Sequence, residues 1–215
     1  MNSFVVLIGL ILGVAGLAID AASIFPAVMT VSAENLQARS LLDAFVYFWS
    51  FFTHLTNLLL LLVYISELTN WRALAWFRSA QAQAMAASYI MLVGLYFHFM
   101  LSPYLHLEGA LGIATWILHY LTPALYMLWW LGLARHGALA FRAIPMLLAP
   151  GLVYVVLILI RGAFTGEYPY EILDVGKNGY GGVAIGVGVL VLAVAIFSVI
   201  IVAADKLLAR RSRPA

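Results

Sequence analysis

Hydrophobic residues form long, almost uninterrupted stretches along this chain, separated by short segments that hold most of the charged residues. A helix needs about 20 mostly apolar residues to cross the roughly 30 Å hydrocarbon core of a bilayer. Six stretches meet that length, and each predicts a membrane-spanning segment: residues 4–26, 44–66, 84–103, 110–133, 143–162 and 181–204. Helix is the expected state because backbone N–H and C=O groups inside lipid must be satisfied within the segment.

Composition agrees with this pattern. Of the 215 residues, 65% are hydrophobic and only 9% are charged, whereas soluble globular proteins carry roughly 25% charged residues. With no repeat and no low-complexity linker, residues 1–215 are predicted to form a single all-α, six-span membrane domain. No Lys or Arg precedes the first apolar run, so we expect a retained span and not a cleaved leader.

The distribution of Lys and Arg predicts the orientation of the spans. One side of the predicted topology holds eight of these residues: Arg72, Arg78, Arg135, Arg142, Lys206, Arg210, Arg211 and Arg213. The other side holds three: Arg39, Arg161 and Lys177. Because cytoplasmic segments carry the excess of basic residues, both termini are predicted to be cytoplasmic. The net charge of +2 gives no reason to expect a nucleic-acid partner, and the absence of cysteine excludes thiol chemistry.

Polar residues interrupt two of the predicted spans at a similar depth. Thr53 lies ten residues into the second span, in "YFWSFFTHLTNL", and His119 lies ten residues into the fourth. At 1.5 Å per residue each lies about 15 Å below the outer surface, near the middle of the bilayer. Thr56 and Asn57 share a helix face with Thr53, whereas His54 points about 100° away from it.

Pro123 follows His119 by four residues and is expected to open the fourth span there. Proline lacks an N–H, and its ring crowds the carbonyl four residues back, which is that of His119. A backbone acceptor left bare beside an imidazole is tolerated in lipid only inside protein or beside a wet cavity. The spacing therefore predicts an interior polar site.

Thr53 and His119 have the residue types of a nucleophile and its general base. A threonine hydroxyl needs a base within hydrogen-bond reach, and a buried histidine tends to stay neutral, as a base must. Asn57 or an outer-loop tyrosine could stabilise an oxyanion. No Asp or Glu is evident at this depth, so we expect a dyad. The plainer alternatives are a threonine bonded to its own helix and Asn57 as a contact between helices.

The last outer connection, "RGAFTGEYPYEILDVGKNGYGG", runs from Arg161 to Gly182. It reads either as an interfacial loop or as a lid over a pocket. Together with "YFWSFFTHLTNLL" and "LHYLTPALYMLWWL", it resembles the bacterial branch of the androgen-induced protein superfamily. The shared order is Phe-Thr-x-x-x-Asn, then His-x-x-x-Pro, then Tyr-Pro-Tyr with a downstream Asp, over spans two to six.

That resemblance implies a function. The animal members are six-span membrane hydrolases that split fatty acid esters of hydroxy fatty acids with a threonine nucleophile and a histidine. Thr53 would then be the nucleophile and His119 its partner. The remaining candidates for substrate or oxyanion binding are Asn57, Thr56, His54, Tyr168, Tyr170 and Asp174. The resemblance also implies a bacterial inner membrane, a lipid ester as substrate and no cofactor.

Two departures from the family pattern leave the nucleophile open. The animal proteins have their proline five residues after the histidine, where this chain has four. They also have Asp or Asn three residues after the threonine, where this chain has Thr56 followed by Asn57. Thr56 is therefore a rival nucleophile.

Three other functions compete with hydrolysis. His54 and His119 lie at nearly the same depth on separate spans, and paired imidazoles serve as axial ligands of b-type haem. A non-catalytic lipid-binding or transport protein would use the same polar site, although paired broken helices are not evident. A metal site of His54, His98 and His119 lacks a fourth ligand, so no metal is expected.

Overall fold

A computed structural model describes residues 2–32, 35–105 and 107–211. Eight α-helices account for most of that part of the chain, which contains no β-strand. In chain order they are α1 (Asn2–Met29), α2 (Leu41–Trp49), α3 (Phe52–Thr69), α4 (Ala80–Tyr96), α5 (Gly109–Trp116), α6 (Thr122–Leu133), α7 (Ile144–Thr165) and α8 (Val175–Arg211). Shorter 3₁₀ segments occur at Arg72–Arg78, Phe141–Ala143 and Glu171–Leu173.

Six helices are long and apolar enough to cross a membrane, as predicted: Ser3–Met29, Phe52–Thr69, Ala80–Leu101, Gly109–Leu133, Phe141–Thr165 and Val175–Arg210. The chain is therefore all-helical and has the features of a multi-pass membrane protein. Three residues of the predicted loops and terminus lie outside the described residues: Glu34, His106 and Arg213, the last of which was counted above among the basic residues. The two compact units of the chain are Met1–Ser79 with Tyr89–Ala134, and Ala80–Ser88 with Arg135–Ala215. Folding of both units as one domain stays a prediction.

The second span begins later than predicted. Its expected range of 44–66 is broken between α2 and α3, where Phe51 adopts an extended backbone with ψ 128°. The Ser50 hydroxyl donates to the Tyr47 carbonyl at 2.6 Å, a local bond that competes with continuation of the helix. Thr53 consequently lies in the first turn of α3 and not in the middle of a continuous helix.

In the first unit, α1 packs along α3, α5 and α6. Gly9, Gly13 and Gly16 are spaced at i, i+4 and i+7, which places them on one face of α1. A Cβ at Gly9 would lie 2.5 Å from the Tyr64 ring, and one at Gly16 would lie 2.8 Å from Ile117 and Leu118. These glycines let the helix backbones approach closely, as small residues do between membrane helices.

Two π-helical segments, Phe97–Leu101 and Ile117–Leu121, end two residues before Pro103 and Pro123. In the π register a backbone N–H bonds the carbonyl five residues back, so each proline deprives the carbonyl at i−5 of its donor. Side chains supply the replacements. Ser102 donates to the His98 carbonyl at 2.9 Å, and the Asn57 amide donates to the Leu118 carbonyl at 3.2 Å, with the Thr122 hydroxyl 3.3 Å away.

In the second unit, α7 packs against α8, and α8 packs against the 3₁₀ turn Glu171–Leu173. The predicted outer loop from Arg161 to Gly182 is thus partly helical, because α7 runs on to Thr165 and α8 begins at Val175. Gly179 interrupts α8 with φ 63° and ψ 169°, a conformation that residues other than glycine rarely adopt.

Asp205, 1% exposed, accepts N–H bonds from Gly137 at 2.9 Å and Leu139 at 3.0 Å.

Candidate functional site: two imidazoles

Thr53 and His119 are in contact, as the sequence predicts. Thr53 Oγ1 lies 3.3 Å from His119 Nε2, and Thr53 is 8% exposed. The first turn of α3 carries the threonine, and the π-helix before Pro123 carries the histidine. The start of a helix just after a break and a π-helical segment therefore bring the hydroxyl and the imidazole together.

The second ring nitrogen of His119 defines the tautomer. His119 Nδ1 lies 3.0 Å from the Thr115 carbonyl oxygen, which can only accept a hydrogen bond. In the neutral ring Nδ1 therefore carries the proton and Nε2 carries the lone pair. The Thr53 hydroxyl can then donate to Nε2, which is the direction of proton transfer that a general base requires.

Aromatic packing holds the His119 ring in place. The Phe97 ring stacks on it with centroids 4.1 Å apart and an interplanar angle of 29°. A Cβ at Gly94 would lie 3.3 Å from the His119 carbonyl oxygen, so α4 approaches this segment closely. The imidazole thus has little freedom to turn away from the threonine.

Asn57 is fully hydrogen-bonded, so it has no N–H left for an oxyanion in this structure. Its amide nitrogen donates to the Thr53 carbonyl at 2.9 Å and to the Leu118 carbonyl at 3.2 Å. Its amide oxygen accepts from the Thr122 hydroxyl at 2.6 Å. Asn57, 1% exposed, instead ties the first turns of α3 to the segment that carries His119.

The carbonyl that loses its backbone donor is that of Leu118, whereas the sequence predicted that of His119. The prediction assumed α-helical bonding, in which proline deprives the carbonyl four residues back. The π register moves the deprived carbonyl back by one residue, and the Asn57 amide donates to it at 3.2 Å. The Thr122 hydroxyl lies 3.3 Å from the same carbonyl, but its single proton forms the shorter bond to Asn57 Oδ1 at 2.6 Å. Thr122 is a site residue that the sequence reading missed.

Thr56 is buried, 2% exposed, and its hydroxyl has no hydrogen-bond partner within the described parts of the chain. It therefore has no base comparable to that of Thr53. The geometry favours Thr53 over Thr56 as the reactive hydroxyl.

His54 belongs to a different contact, with a carboxylate that the sequence reading overlooked. His54 Nε2 lies 2.6 Å from Asp20 Oδ2, and Nδ1 lies 2.6 Å from the Phe48 carbonyl oxygen. Asp20 is 5% exposed and lies on α1. The available signal was Asp20 itself, a carboxylate within a membrane span, at i+4 from Gly16 on the glycine face.

The engagement of His54 bears on the haem alternative. Both of its ring nitrogens are hydrogen-bonded, so axial ligation would require His54 to leave either Asp20 or the Phe48 carbonyl. His98, the third histidine of the considered metal set, lies 3.3 Å from the Tyr120 hydroxyl through Nδ1. These contacts favour neither haem nor metal ligation.

The outer-loop candidates lie in the second unit. A Cβ at Gly162 would collide with the Tyr168 ring, so Tyr168 packs on α7. The Tyr170 carbonyl accepts from the Leu173 N–H at 3.0 Å, and Asp174 Oδ1 accepts from the N–H groups of Gly176 and Lys177 at 2.8 and 3.2 Å. Asp174 thereby caps the start of α8, and a substrate-binding role for these three residues stays a prediction.

Comparison with known proteins adds no assignment: no family model, no curated protein and no solved structure matches the chain. The residues and their geometry are therefore the basis on which a function must rest.

Proposed function

We propose that this protein is an intramembrane hydrolase of lipid esters, with Thr53 as nucleophile and His119 as general base. The observation that carries the proposal is the 3.3 Å contact between Thr53 Oγ1 and His119 Nε2, with Nδ1 held by the Thr115 carbonyl. The likeness of the three motifs to the androgen-induced superfamily supports the same pair and suggests fatty acid esters of hydroxy fatty acids. Lipid ester and bilayer lipids are the proposed partners, with no cofactor.

The reaction proceeds in two balanced steps. The Thr53 oxygen attacks the ester carbonyl while its proton moves to His119 Nε2. The tetrahedral intermediate collapses, the ester C–O bond breaks, and the departing alkoxide takes the proton from His119. Water then attacks the acyl-threonine, gives its proton to His119, and the Thr53 oxygen leaves with that proton as the fatty acid is released.

The position of Thr53 in the first turn of α3 supports the stabilisation of negative charge in this reaction. The N-terminal end of a helix carries a partial positive charge of about half an elementary charge. An oxyanion formed on a carbonyl bonded to Thr53 Oγ1 would develop near that end of α3, in surroundings of low dielectric where such charges act strongly. This favours the broken second span over a continuous helix as a site for acyl transfer.

The proposed setting is the inner membrane of a bacterium, with both termini in the cytoplasm. The distribution of Lys and Arg supports this orientation. A long-chain ester partitions into the bilayer, so such a substrate can reach a site inside the helical bundle from the lipid.

The test is ester turnover by the purified protein in lipid nanodiscs, with a fluorogenic long-chain ester and a fatty acid ester of a hydroxy fatty acid. Thr53→Val removes the hydroxyl and keeps the shape, and turnover should fall to background. Thr53→Ser should restore part of it. Thr56→Val tests the rival nucleophile and should stay active.

Thr69→Val is the matched control, because Thr69 lies at the other end of α3 and donates only to the Ile65 carbonyl in the contacts described. A fluorophosphonate probe should label wild-type protein at Thr53. Undiminished hydrolysis by Thr53→Val, or labelling mapped to another residue, would refute the assignment.

A further inference from the structure

A chain of three groups joins the helices around the break in the second span. Asp20 on α1 bonds His54 on α3, and His54 bonds the Phe48 carbonyl of α2, each at 2.6 Å. The Phe48 ring also stacks on the His54 ring, with centroids 4.0 Å apart and an interplanar angle of 17°. One imidazole thus contacts the helix before the break, the helix after it and the neighbouring span.

The break creates the need for this contact. A carbonyl at the end of α2 has lost its donor from the next helical turn, and no lipid group can replace that donor. The Phe48 carbonyl keeps a long contact from the Phe51 N–H at 3.5 Å, and His54 Nδ1 gives it a short hydrogen bond at 2.6 Å. Because His54 directly follows Thr53 in the first turn of α3, fixing the imidazole also fixes the backbone that carries the Thr53 hydroxyl.

Asp20 fixes the imidazole in turn. The Phe48 carbonyl only accepts, so Nδ1 carries a proton, and one further proton is shared between Nε2 and Asp20 Oδ2. Wherever that proton lies, the pair is neutral as a whole, which makes its burial in lipid tolerable. Since both ring nitrogens are engaged, His54 has no lone pair to offer Thr53 and cannot act as its base.

We propose that Asp20 and His54 are positioning residues for Thr53: the Asp20–His54–Phe48 chain fixes the break so that the Thr53 hydroxyl meets His119. This inference rests on the proposed hydrolysis for its activity test. Neither residue touches the reacting atoms, and each acts through the backbone of the first turn of α3.

The test compares Asp20→Ala with Asp20→Asn by kcat and KM. Alanine leaves His54 without its anchor, and a displacement of the nucleophile by about 1 Å is expected to lower kcat about 100-fold with little change in KM. Asparagine can donate from its amide to a bare Nε2 and so preserves the ring orientation. Asp20→Asn should therefore keep kcat at least about tenfold above that of Asp20→Ala.

Asp205→Ala is the matched control. Asp205 is a buried carboxylate of the second unit that also holds hydrogen bonds, so its removal should destabilise the protein without changing kcat of the folded fraction. Wild-type kcat in Asp20→Ala, or equal losses in Asp20→Asn and Asp20→Ala, would overturn the positioning role.

Histidine NMR on ¹⁵N-labelled wild-type protein tests the Asp20–His54–Phe48 hydrogen bonds without turnover and without Asp20→Ala. The His54 signal, identified by its loss in His54→Gln, should show a protonated, hydrogen-bonded Nδ1. A bare Nδ1 would overturn the inference whether or not Asp20→Ala folds. If wild-type protein hydrolyses no ester, the proposed function fails, while the NMR result still decides whether the Asp20–His54–Phe48 hydrogen bonds form.

Discussion

His54 and His119 occupy nearly equivalent surroundings in the first unit. Each bonds a backbone carbonyl through Nδ1, Phe48 for one and Thr115 for the other, and each stacks on a phenylalanine ring. They differ in the partner of Nε2: a carboxylate at 2.6 Å for His54 and a hydroxyl at 3.3 Å for His119. The carboxylate ties up its imidazole as a structural link, whereas the hydroxyl offers a proton that a base can take.

The comparison therefore separates two uses of an imidazole in lipid. A buried ionisable group is costly, and membrane proteins retain it where it has a function. Here the partner at Nε2 distinguishes a proposed catalytic base from a proposed positioning residue, while the bond from Nδ1 to a backbone carbonyl and the packing on a phenylalanine ring are shared; His54 is 4% exposed and His119 is partly buried. The following predictions break or sharpen that distinction.

The largest effect is expected at the base itself. His119→Gln keeps a polar side chain of similar length but cannot take the Thr53 proton, so turnover should fall about 10²–10⁴-fold. The kcat of the purified variant in nanodiscs measures this. His54→Gln is the paired variant and should lose less, because His54 acts only through position. A larger loss in His54→Gln would reverse the roles assigned to the two rings.

In unfolding free energy, unlike in turnover, the contact of His54 should matter more than the contact of His119. Asp20→Ala leaves the His54 pair broken inside the membrane, which should lower the free energy of unfolding by about 3–5 kcal/mol. Thr53→Val removes the hydroxyl contact with His119 and should cost about 0.6 kcal/mol for that contact, typical of such bonds between membrane helices. Denaturant unfolding in detergent micelles compares them. Equal losses would mean that the two Nε2 contacts contribute alike.

Asn57 connects the Thr53 turn to the His119 segment, so its removal should disturb the catalytic imidazole more than the structural one. Asn57→Ala leaves the Leu118 carbonyl and the Thr122 hydroxyl with fewer partners and should cost about 1–2 kcal/mol. In histidine NMR the His119 signal should shift while that of His54 stays. A shift confined to His54 would contradict the proposed link.

Gly16 lies where α1, which carries Asp20, meets the segment that carries His119. Gly16→Ala places a Cβ 2.8 Å from Leu118 Cδ2, which is a chain end, and 2.8 Å from Ile117 Cγ2, which is fixed on a β-branched carbon, so it should cost about 1–3 kcal/mol. Gly188→Ala is the control, since a Cβ there meets no described neighbour within 4 Å. A midpoint shift as large in Gly188→Ala would remove close packing as the cause.

Much of the site could be predicted because depth along a span follows from counting residues. The contact between Thr53 and His119 was predicted and is present. The counting behind it assumed a continuous second span, whereas α3 begins at Phe52, directly before Thr53. The effect of Pro123 was predicted in kind, but the deprived carbonyl was displaced by one residue. Local sequence does not reveal the π register, which depends on which donors neighbouring helices bring to the freed carbonyl.

Asp20, Thr122 and the bonded state of Asn57 could not be predicted by depth alone. Asp20 lies on the first span, and its contact with His54 depends on how the glycine face of α1 packs. The break at Ser50 and Phe51 has a local cause in the Ser50 hydroxyl, which bonds the Tyr47 carbonyl. It also depends on His54, which bonds the Phe48 carbonyl and is itself bonded to Asp20 of another helix.

The sequence by itself determined the six apolar helices, because the length and polarity of a segment decide whether lipid can surround it. It also determined that a hydroxyl and an imidazole lie at similar depth. Only the tertiary structure decided that the other imidazole, His54, meets a carboxylate and that Asn57 meets the freed Leu118 carbonyl. The physical reason is that hydrogen bonds between helices depend on rotation, register and local breaks, which packing sets and which residue counting along one span does not contain.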